Sequence, residues 1–263
     1  MDVLKTINGL SNKNSSGIDE ISNRLLKETQ KSICNPLAHI FSLSLKQGKI
    51  SEAFKIANIK PLHKSGPKDV FTNYRPISIL SSLAKVLEKI VEKQLRAFME
   101  KENIIHSHQY GFRAKHQTSH ALLDLLNKVN SGKIKNEHTI AVFLDLQKAY
   151  DVVPIDIILK KMEYYNIDGI ELGWFQSYLT HRKQSVLIEQ TSSQYREMKI
   201  GLPQGTVISP LVFLLFSSDL QYVSKELYSI LFADDTAILA TNKDVKKLYS
   251  LMNKILAEAQ DWF

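Results

Sequence analysis

Two successive aspartates, Asp234-Asp235, stand between the apolar runs Ile230-Leu231-Phe232-Ala233 and Thr236-Ala237-Ile238-Leu239. Apolar runs separated by a short polar turn read as a β-hairpin, so paired carboxylates are expected at its tip. A second β-favouring run, Thr139-Ile140-Ala141-Val142-Phe143-Leu144, is continuous rather than alternating and ends on Asp145, as a buried central strand would. If these strands are neighbours, three carboxylates converge although Asp145 and Asp234 are 89 positions apart. Hard divalent cations such as Mg²⁺ take oxygen ligands, usually a few carboxylates plus substrate phosphates. Two such ions about 3.5–4 Å apart can activate an attacking hydroxyl and stabilise a leaving pyrophosphate oxygen, the geometry of nucleotidyl transfer. On these three residues alone the alternative stays open: Asp-Asp is also good turn chemistry, and Asp145 a polar strand end.

Charge and composition narrow the classes. The 34 Lys and Arg exceed the 27 Asp and Glu to give a net charge of +7, which favours a polyanionic partner. With 44% apolar residues in 263, the chain can fill a sizeable core, which excludes general disorder. A single cysteine, Cys34, excludes a disulfide framework, a CxxC redox pair and a cysteine-rich zinc knuckle. The opening residues lack a basic stretch followed by an apolar one, and Leu211–Phe216 is far short of the ~18 residues that span a bilayer. The expectation is a soluble intracellular chain without membrane contact. Neither internal repeats nor low-complexity tracts interrupt it.

Coarse structure follows from periodicity. A helix is expected from Ile18 to about Pro36, and a second from about Leu37 to Gln47, stopped by Gly48. The stretch from Ile59 to Lys68 reads as a strand running into a basic turn, and Ser81–Lys101 as an amphipathic helix. Pro154 opens a helix that reaches about Tyr165. Short alternating runs cover Ser185–Glu189 and Tyr195–Ile200, ahead of the loop Gly201-Leu202-Pro203-Gln204-Gly205. Ser209 then serves as N-cap with Pro210 at the first helical position, and Val245, Leu248, Met252, Ile255, Ala259 and Trp262 mark a closing helix in which the sequence ends. His106-Ser107-His108 reads as a surface loop rather than a metal pair, and Cys34 as a small hydrophobe on a helical face.

Phe143-Leu144-Asp145-Leu146-Gln147-Lys148-Ala149-Tyr150-Asp151, then Gly201-Leu202-Pro203-Gln204-Gly205-Thr206-Val207-Ile208-Ser209-Pro210, then Phe232-Ala233-Asp234-Asp235 resemble, in order and spacing, the palm motifs of reverse transcriptases. Ser15-Ser16-Gly17-Ile18-Asp19 resembles the opening motif of non-LTR (LINE-like) retrotransposon enzymes, and Asn73-Tyr74-Arg75-Pro76-Ile77-Ser78 and Gln109-Tyr110-Gly111-Phe112-Arg113 two further ones. Trp174–Leu179 with Arg182 and Gln184 is most similar to jockey-type members. The resemblance runs from about Leu4 to Phe263.

What it implies is an RNA-directed DNA polymerase, a nucleotidyltransferase of α+β fold with right-hand polymerase fingers and palm, an antiparallel palm sheet flanked by helices, and no thumb. About 1–138 would be mainly fingers and connecting helices, and about 139–263 mainly palm, truncated before the thumb. Asp145, Asp234 and Asp235 would be the catalytic carboxylates and, with the backbone carbonyl of Leu146, hold two Mg²⁺ ions, Mn²⁺ being a substitute. Lys64 and Arg75 would reach the nucleotide triphosphate, and Gln204 and Gly205 the nucleotide or template. Tyr150 would place a ring under the incoming sugar and exclude a 2′-hydroxyl. That aromatic also speaks against an RNA-dependent RNA polymerase, and the Trp174–Gln184 block fits group II intron and telomerase enzymes less well. Arg113, Lys115, Arg182 and Lys183 are candidates for phosphate contacts along a template-primer groove. The implied partners are an RNA template, a DNA primer and deoxynucleoside triphosphates, with no defined protein partner and a nuclear site of action. The alternative is a truncated, non-catalytic nucleic-acid-binding transposon remnant.

Overall fold

The computed structural model describes residues 3–12 and 16–262. Ser15, first residue of the Ser15–Asp19 motif, lies outside the described residues. The architecture mixes helices with two open sheets. Its elements are α1 (Val3–Asn8), α2 (Asn23–Gln47), β1 (Ile56–His63), β2 (Tyr74–Ile79), α3 (Ser82–Lys101), α4 (Thr118–Ile134), β3 (His138–Leu144), α5 (Ala149–Val152), α6 (Ile155–Tyr164), α7 (Gly169–Leu179), β4 (Arg182–Ile188), β5 (Thr191–Ser192), β6 (Arg196–Met198), α8 (Ser209–Ser217), β7 (Tyr228–Phe232), β8 (Asp235–Asn242) and α9 (Val245–Trp262). They form two interleaved units: Met1–Phe98 with Tyr150–Val212, and Met99–Ala149 with Phe213–Phe263.

In the first unit β1 lies between β2, antiparallel, and β4, parallel. The strand buries alternate residues: Ala57 joins Leu80 and Ala84 of the segment opening α3 in one apolar cluster, while Lys60 faces solvent. The two helices expected before Gly48 are one. Pro36 lies inside α2, where it removes one backbone bond, and the helix continues because Leu26, Leu37 and Phe41 bury a common face. Gly48 ends it as expected, and the Lys49 N–H donates back to the Ser44 carbonyl at 3.0 Å.

The second unit is a three-stranded antiparallel sheet in the order β3-β8-β7. Ile238 and Ala240 on β8 pack on Leu248, Met252, Ile255 and Ala259, the apolar stripe of α9. Ala237 and Leu239, from the opposite face, pack with Ile230 against Ala121, Leu125 and Val129 of α4. The sheet is thus covered on both faces, and that double cover makes β8 apolar throughout its middle. Contrary to the expectation that Thr139–Leu144 is a buried central strand, the central strand is β8, and β3 is an edge strand with Phe143 71% exposed. A continuous apolar run looks the same in either place.

Candidate active site

β8 carries the first carboxylate. Its antiparallel register with β3 ends at Leu144 opposite Thr236, and with β7 at Phe232 opposite Asp235. The ladder itself stops at the Leu144–Thr236 pair; continued by one residue, the same register would set Asp145 level with Asp235, and side chains opposite each other in such a pair stand about 4.5–5.5 Å apart at Cβ. Asp234 occupies the two-residue turn with Ala233; Asp235, expected in the turn as well, already belongs to the strand. Asp145 and Asp235 are exposed and Asp234 half-buried. The first two share the wall of a cleft of about 380 Å³ with Phe143, Phe232 and Leu122. Among the described residues no other group hydrogen-bonds or ion-pairs with the three carboxylates.

This donor set fits a hard divalent cation in its chemistry. The three carboxylates do not close into a ready-made cage: among the described residues no group of three His, Cys, Asp or Glu could hold a metal by itself. Mg²⁺ is commonly held by one or two carboxylates plus substrate phosphates, and Asp145 and Asp235 on the wall of one cleft suit that mode.

The hairpin tip is itself held from one side. Tyr110 N–H donates to the Leu231 carbonyl at 2.8 Å and Leu231 N–H to the His108 carbonyl at 2.9 Å, so residues 108–110 extend the sheet along β7. The Gln109 side-chain oxygen accepts from Ala233 N–H at 3.0 Å and from Gly111 N–H at 2.8 Å, while its amide nitrogen donates to the Ala233 carbonyl at 3.4 Å. Arg113 is turned inward and donates to the His106 and Gln109 carbonyls at 2.9 and 3.2 Å, which makes it a brace of this loop. Lys115 is exposed.

His106-Ser107-His108 is more than a surface loop. Asp124 of α4 accepts from Tyr228 at 2.7 Å and Tyr110 at 3.0 Å, and pairs with His108 Nδ1 at 2.5 Å. Burial pushes the Asp124 carboxyl up, but these bonds outweigh it and hold it below the usual carboxylate range. Burial, with the neighbouring His108 and Arg113, lowers His106 to about 4. Asp124 and its partners were invisible in the sequence because α4 has no clean apolar stripe; Leu122, Leu123 and Leu126 are exposed.

The first unit gathers the remaining candidates around β2. Arg75 sits opposite Leu62, Lys64 N–H bonds the Asn73 carbonyl at 2.8 Å, and both cationic side chains are exposed at this hairpin. Ser78 N–H donates to the Gln204 carbonyl at 2.8 Å, and Gln204 Nε2 to Asp151 Oδ1 at 2.8 Å. Leu202 N–H bonds the carbonyl of half-buried Tyr150 on α5. Gly205 has φ +91°, and a Cβ there would lie 3.1 Å from Ile77, so the turn needs glycine for its backbone and for space. A cavity of about 250 Å³ opens here, lined by Pro76, Ser78, Asp151, Gln184 and Gln204.

Arg182 corrects the sequence reading. It is 2% exposed, lies over the Tyr178 ring at 4.8 Å and donates to the Tyr178 carbonyl at 3.0 Å, so it is a core residue and not a phosphate contact. Lys183 beside it is exposed, as strand alternation dictates. Arg182 belongs to a buried network that the sequence reading missed, centred on Glu88, 1% exposed. Glu88 accepts from Tyr178 at 2.7 Å and from Val207 N–H at 2.7 Å, which fastens the backbone just past Gly205. Burial raises its carboxyl, against the pull of Val207, Arg182 and Tyr178. The available signal was an acid between Ala84 and Val91 on the apolar stripe of α3. Downstream, Thr206 Oγ1 caps Ser209 N–H at 3.2 Å, taking the role expected of Ser209.

The chain is 30% identical to the probable RNA-directed DNA polymerase from transposon BS of Drosophila melanogaster, over 99% of this chain and 30% of that protein. It is 29% identical to the RNA-directed DNA polymerase from mobile element jockey of the same species, over 99% of this chain and 29% of that protein. Similarity to the probable polymerase from transposon X-element, also of Drosophila melanogaster, is 30% over 90% of this chain and 26% of that protein. The chain thus spans about 30% of the length of these relatives. Residues 62–263 match the family described as reverse transcriptase (RNA-dependent DNA polymerase), a stretch that holds both the carboxylate sheet and the Pro-Gln-Gly turn, and the chain belongs to that family.

Proposed function

We propose that this chain is the fingers and palm of an RNA-directed DNA polymerase of a non-LTR retrotransposon, extending a DNA primer on an RNA template. The observation that carries the reading is the cleft wall shared by Asp145 and Asp235 beside the last β3–β8 pair, with Asp234 in the adjoining turn. Asp145, Asp234, Asp235 and the Leu146 carbonyl would hold two divalent ions, Mg²⁺ or Mn²⁺. Such ions supply charge neutralisation at the attacking and leaving oxygens. The primer 3′-oxygen forms a bond to the α-phosphorus, the bond to pyrophosphate breaks, and the hydroxyl proton leaves to solvent.

Lys64 and Arg75, exposed on one hairpin, neutralise triphosphate charge. Tyr150 blocks a 2′-hydroxyl, and Gln204 and Gly205 contact nucleotide or template. Lys115 and Lys183 offer exposed cations for template-primer phosphates, while Arg113 contributes by bracing its loop. In the division by role, about 1–138 is mainly fingers and about 139–263 mainly palm. No helix among the described residues is long and apolar enough to cross a membrane; a nuclear site of action is part of the proposal.

The test is primer extension on an RNA template with labelled deoxynucleotides and Mg²⁺, comparing the chain with Asp234→Ala. Incorporation lost in the variant, with template-primer binding retained, supports the reading. Equal incorporation by both sinks the carboxylate assignment. Binding by both with incorporation by neither supports a non-catalytic nucleic-acid-binding remnant.

A further inference from the structure

Ala233, the residue before Asp234, has φ +60°, a left-handed conformation that an alanine does not adopt by preference. Hairpin turns of two residues favour Gly, Asn or Asp where φ is positive. A residue held in such a region persists only when its surroundings over-determine it. What surrounds Ala233 is the side chain of Gln109, 4% exposed. Its primary amide meets the backbone of Ala233 on both sides, accepting from the N–H at 3.0 Å and donating to the carbonyl at 3.4 Å. The same oxygen accepts from Gly111 N–H at 2.8 Å, so the amide cannot turn without losing a further bond. Its own backbone is fixed by the pairing with Leu231 and by Arg113, which donates to the Gln109 carbonyl at 3.2 Å.

We propose that Gln109 is a positioning residue for the carboxylate hairpin: it holds Ala233 left-handed and thereby fixes the direction in which Asp234 and Asp235 leave the turn. The inference rests on the polymerase reading for what those carboxylates do, but the clamp itself is a property of the fold. The residue type follows from the contacts. Glutamate would set an acceptor against the Ala233 carbonyl and lose the donor. Asparagine is one methylene too short, and methionine keeps the length without either bond.

The test uses the full chain with Gln109→Met, the double variant Gln109→Met/Ala233→Gly, and Met252→Ala as a control that loosens the same unit far from the turn. Three readouts separate a positioning role from a merely structural one: single-turnover incorporation with nucleotide affinity, Mn²⁺ binding by electron paramagnetic resonance, and amide exchange at Ala233. A carboxylate displaced by an ångström costs on the order of 10²-fold in rate. Gln109→Met is therefore expected to slow incorporation by about 100-fold while nucleotide affinity stays within about threefold, to weaken Mn²⁺ binding about tenfold and to speed Ala233 exchange about 100-fold. Glycine tolerates positive φ, so Ala233→Gly should restore about a tenfold share of the rate. Met252→Ala, assayed where it remains folded, should keep the rate. Unchanged exchange and Mn²⁺ binding in Gln109→Met, or an equal rate loss in Met252→Ala, would overturn the proposal. If the wild-type chain incorporates nothing, the polymerase reading fails on its own, and exchange and Mn²⁺ binding still decide the clamp.

Discussion

Gly111→Ala adds one methyl group to the structure at its least forgiving point. A Cβ at Gly111 would lie 2.1 Å from Ala233 N, 2.8 Å from the Phe232 carbonyl carbon and 2.9 Å from Ala233 Cα, all backbone atoms of the carboxylate hairpin. Ordinary contact begins near 3.4 Å, so residues 109–111 and the turn must part by about 1.3 Å. No flexible side-chain end is available to absorb that movement. The bonds from Gln109 to Ala233, at 3.0 and 3.4 Å, would lengthen past useful range. Overpacking of this kind costs about 1–3 kcal/mol of stability. A misplacement of about 1 Å at a reacting group costs on the order of 10²-fold. Single-nucleotide incorporation on an RNA template, run beside a urea titration, should therefore show about a 100-fold fall in kcat in a chain that is still folded. The matched control is Gly173→Ala within α7, whose nearest atom, the Gly48 carbonyl oxygen, lies 3.6 Å away. That substitution should keep activity and stabilise by about 0.4–1 kcal/mol. Wild-type turnover in Gly111→Ala, or the same loss in Gly173→Ala, would refute the close-approach argument.

Tyr150→Ala should admit ribonucleotides; unchanged sugar discrimination in competitive incorporation would remove Tyr150 from the gate. Arg182→Ala should cost on the order of 3 kcal/mol in urea unfolding, because it strips a buried cation from beside Glu88. Lys183→Ala should instead weaken template binding and lower the magnitude of its salt slope by about 1, with stability unchanged; a reversal of this pattern would return Arg182 to the nucleic-acid face. His106 is lowered from 6.5 to about 4, so the unfolded chain takes up a proton first as pH falls. Its contribution to stability is complete above pH 6.5 and should be lost as pH falls through about 4, and a urea midpoint whose slope across that window is the same in His106→Gln would refute the assignment.

The carboxylate hairpin was legible because continuous apolar runs on either side of Asp-Asp leave few other options, and the Ser82–Lys101 helix because its stripe repeats for five turns. The β3 position was not legible, since edge and centre differ only in which partners arrive from far along the chain. Pro36 misled because local preference ends a helix there, whereas Leu37 and Phe41 bury their side chains in line with Leu26. For the site, residue types made the three aspartates candidates with turn chemistry as the alternative, and only the family resemblance singled out Lys64 and Arg75. Burial decided Arg182, and burial depends on Tyr178 and Glu88, which no local pattern links to it. Gln109 could be quoted as part of a motif, yet its role is visible only once the turn at Ala233 lies against it.

The sheet of the second unit also sets a timetable for synthesis. β3 leaves the ribosome well before β8, its one partner strand among the described residues, since Leu144 pairs with Thr236, 92 positions later. At roughly 5–20 residues per second the apolar edge of β3 waits on the order of 5–20 s for β8. β7 and β8, by contrast, are joined by two residues and can close in about 1–10 μs once both have emerged. The nascent chain therefore carries β3, with Phe143, as an unpaired strand for most of that interval, the condition in which a strand edge invites pairing with other chains.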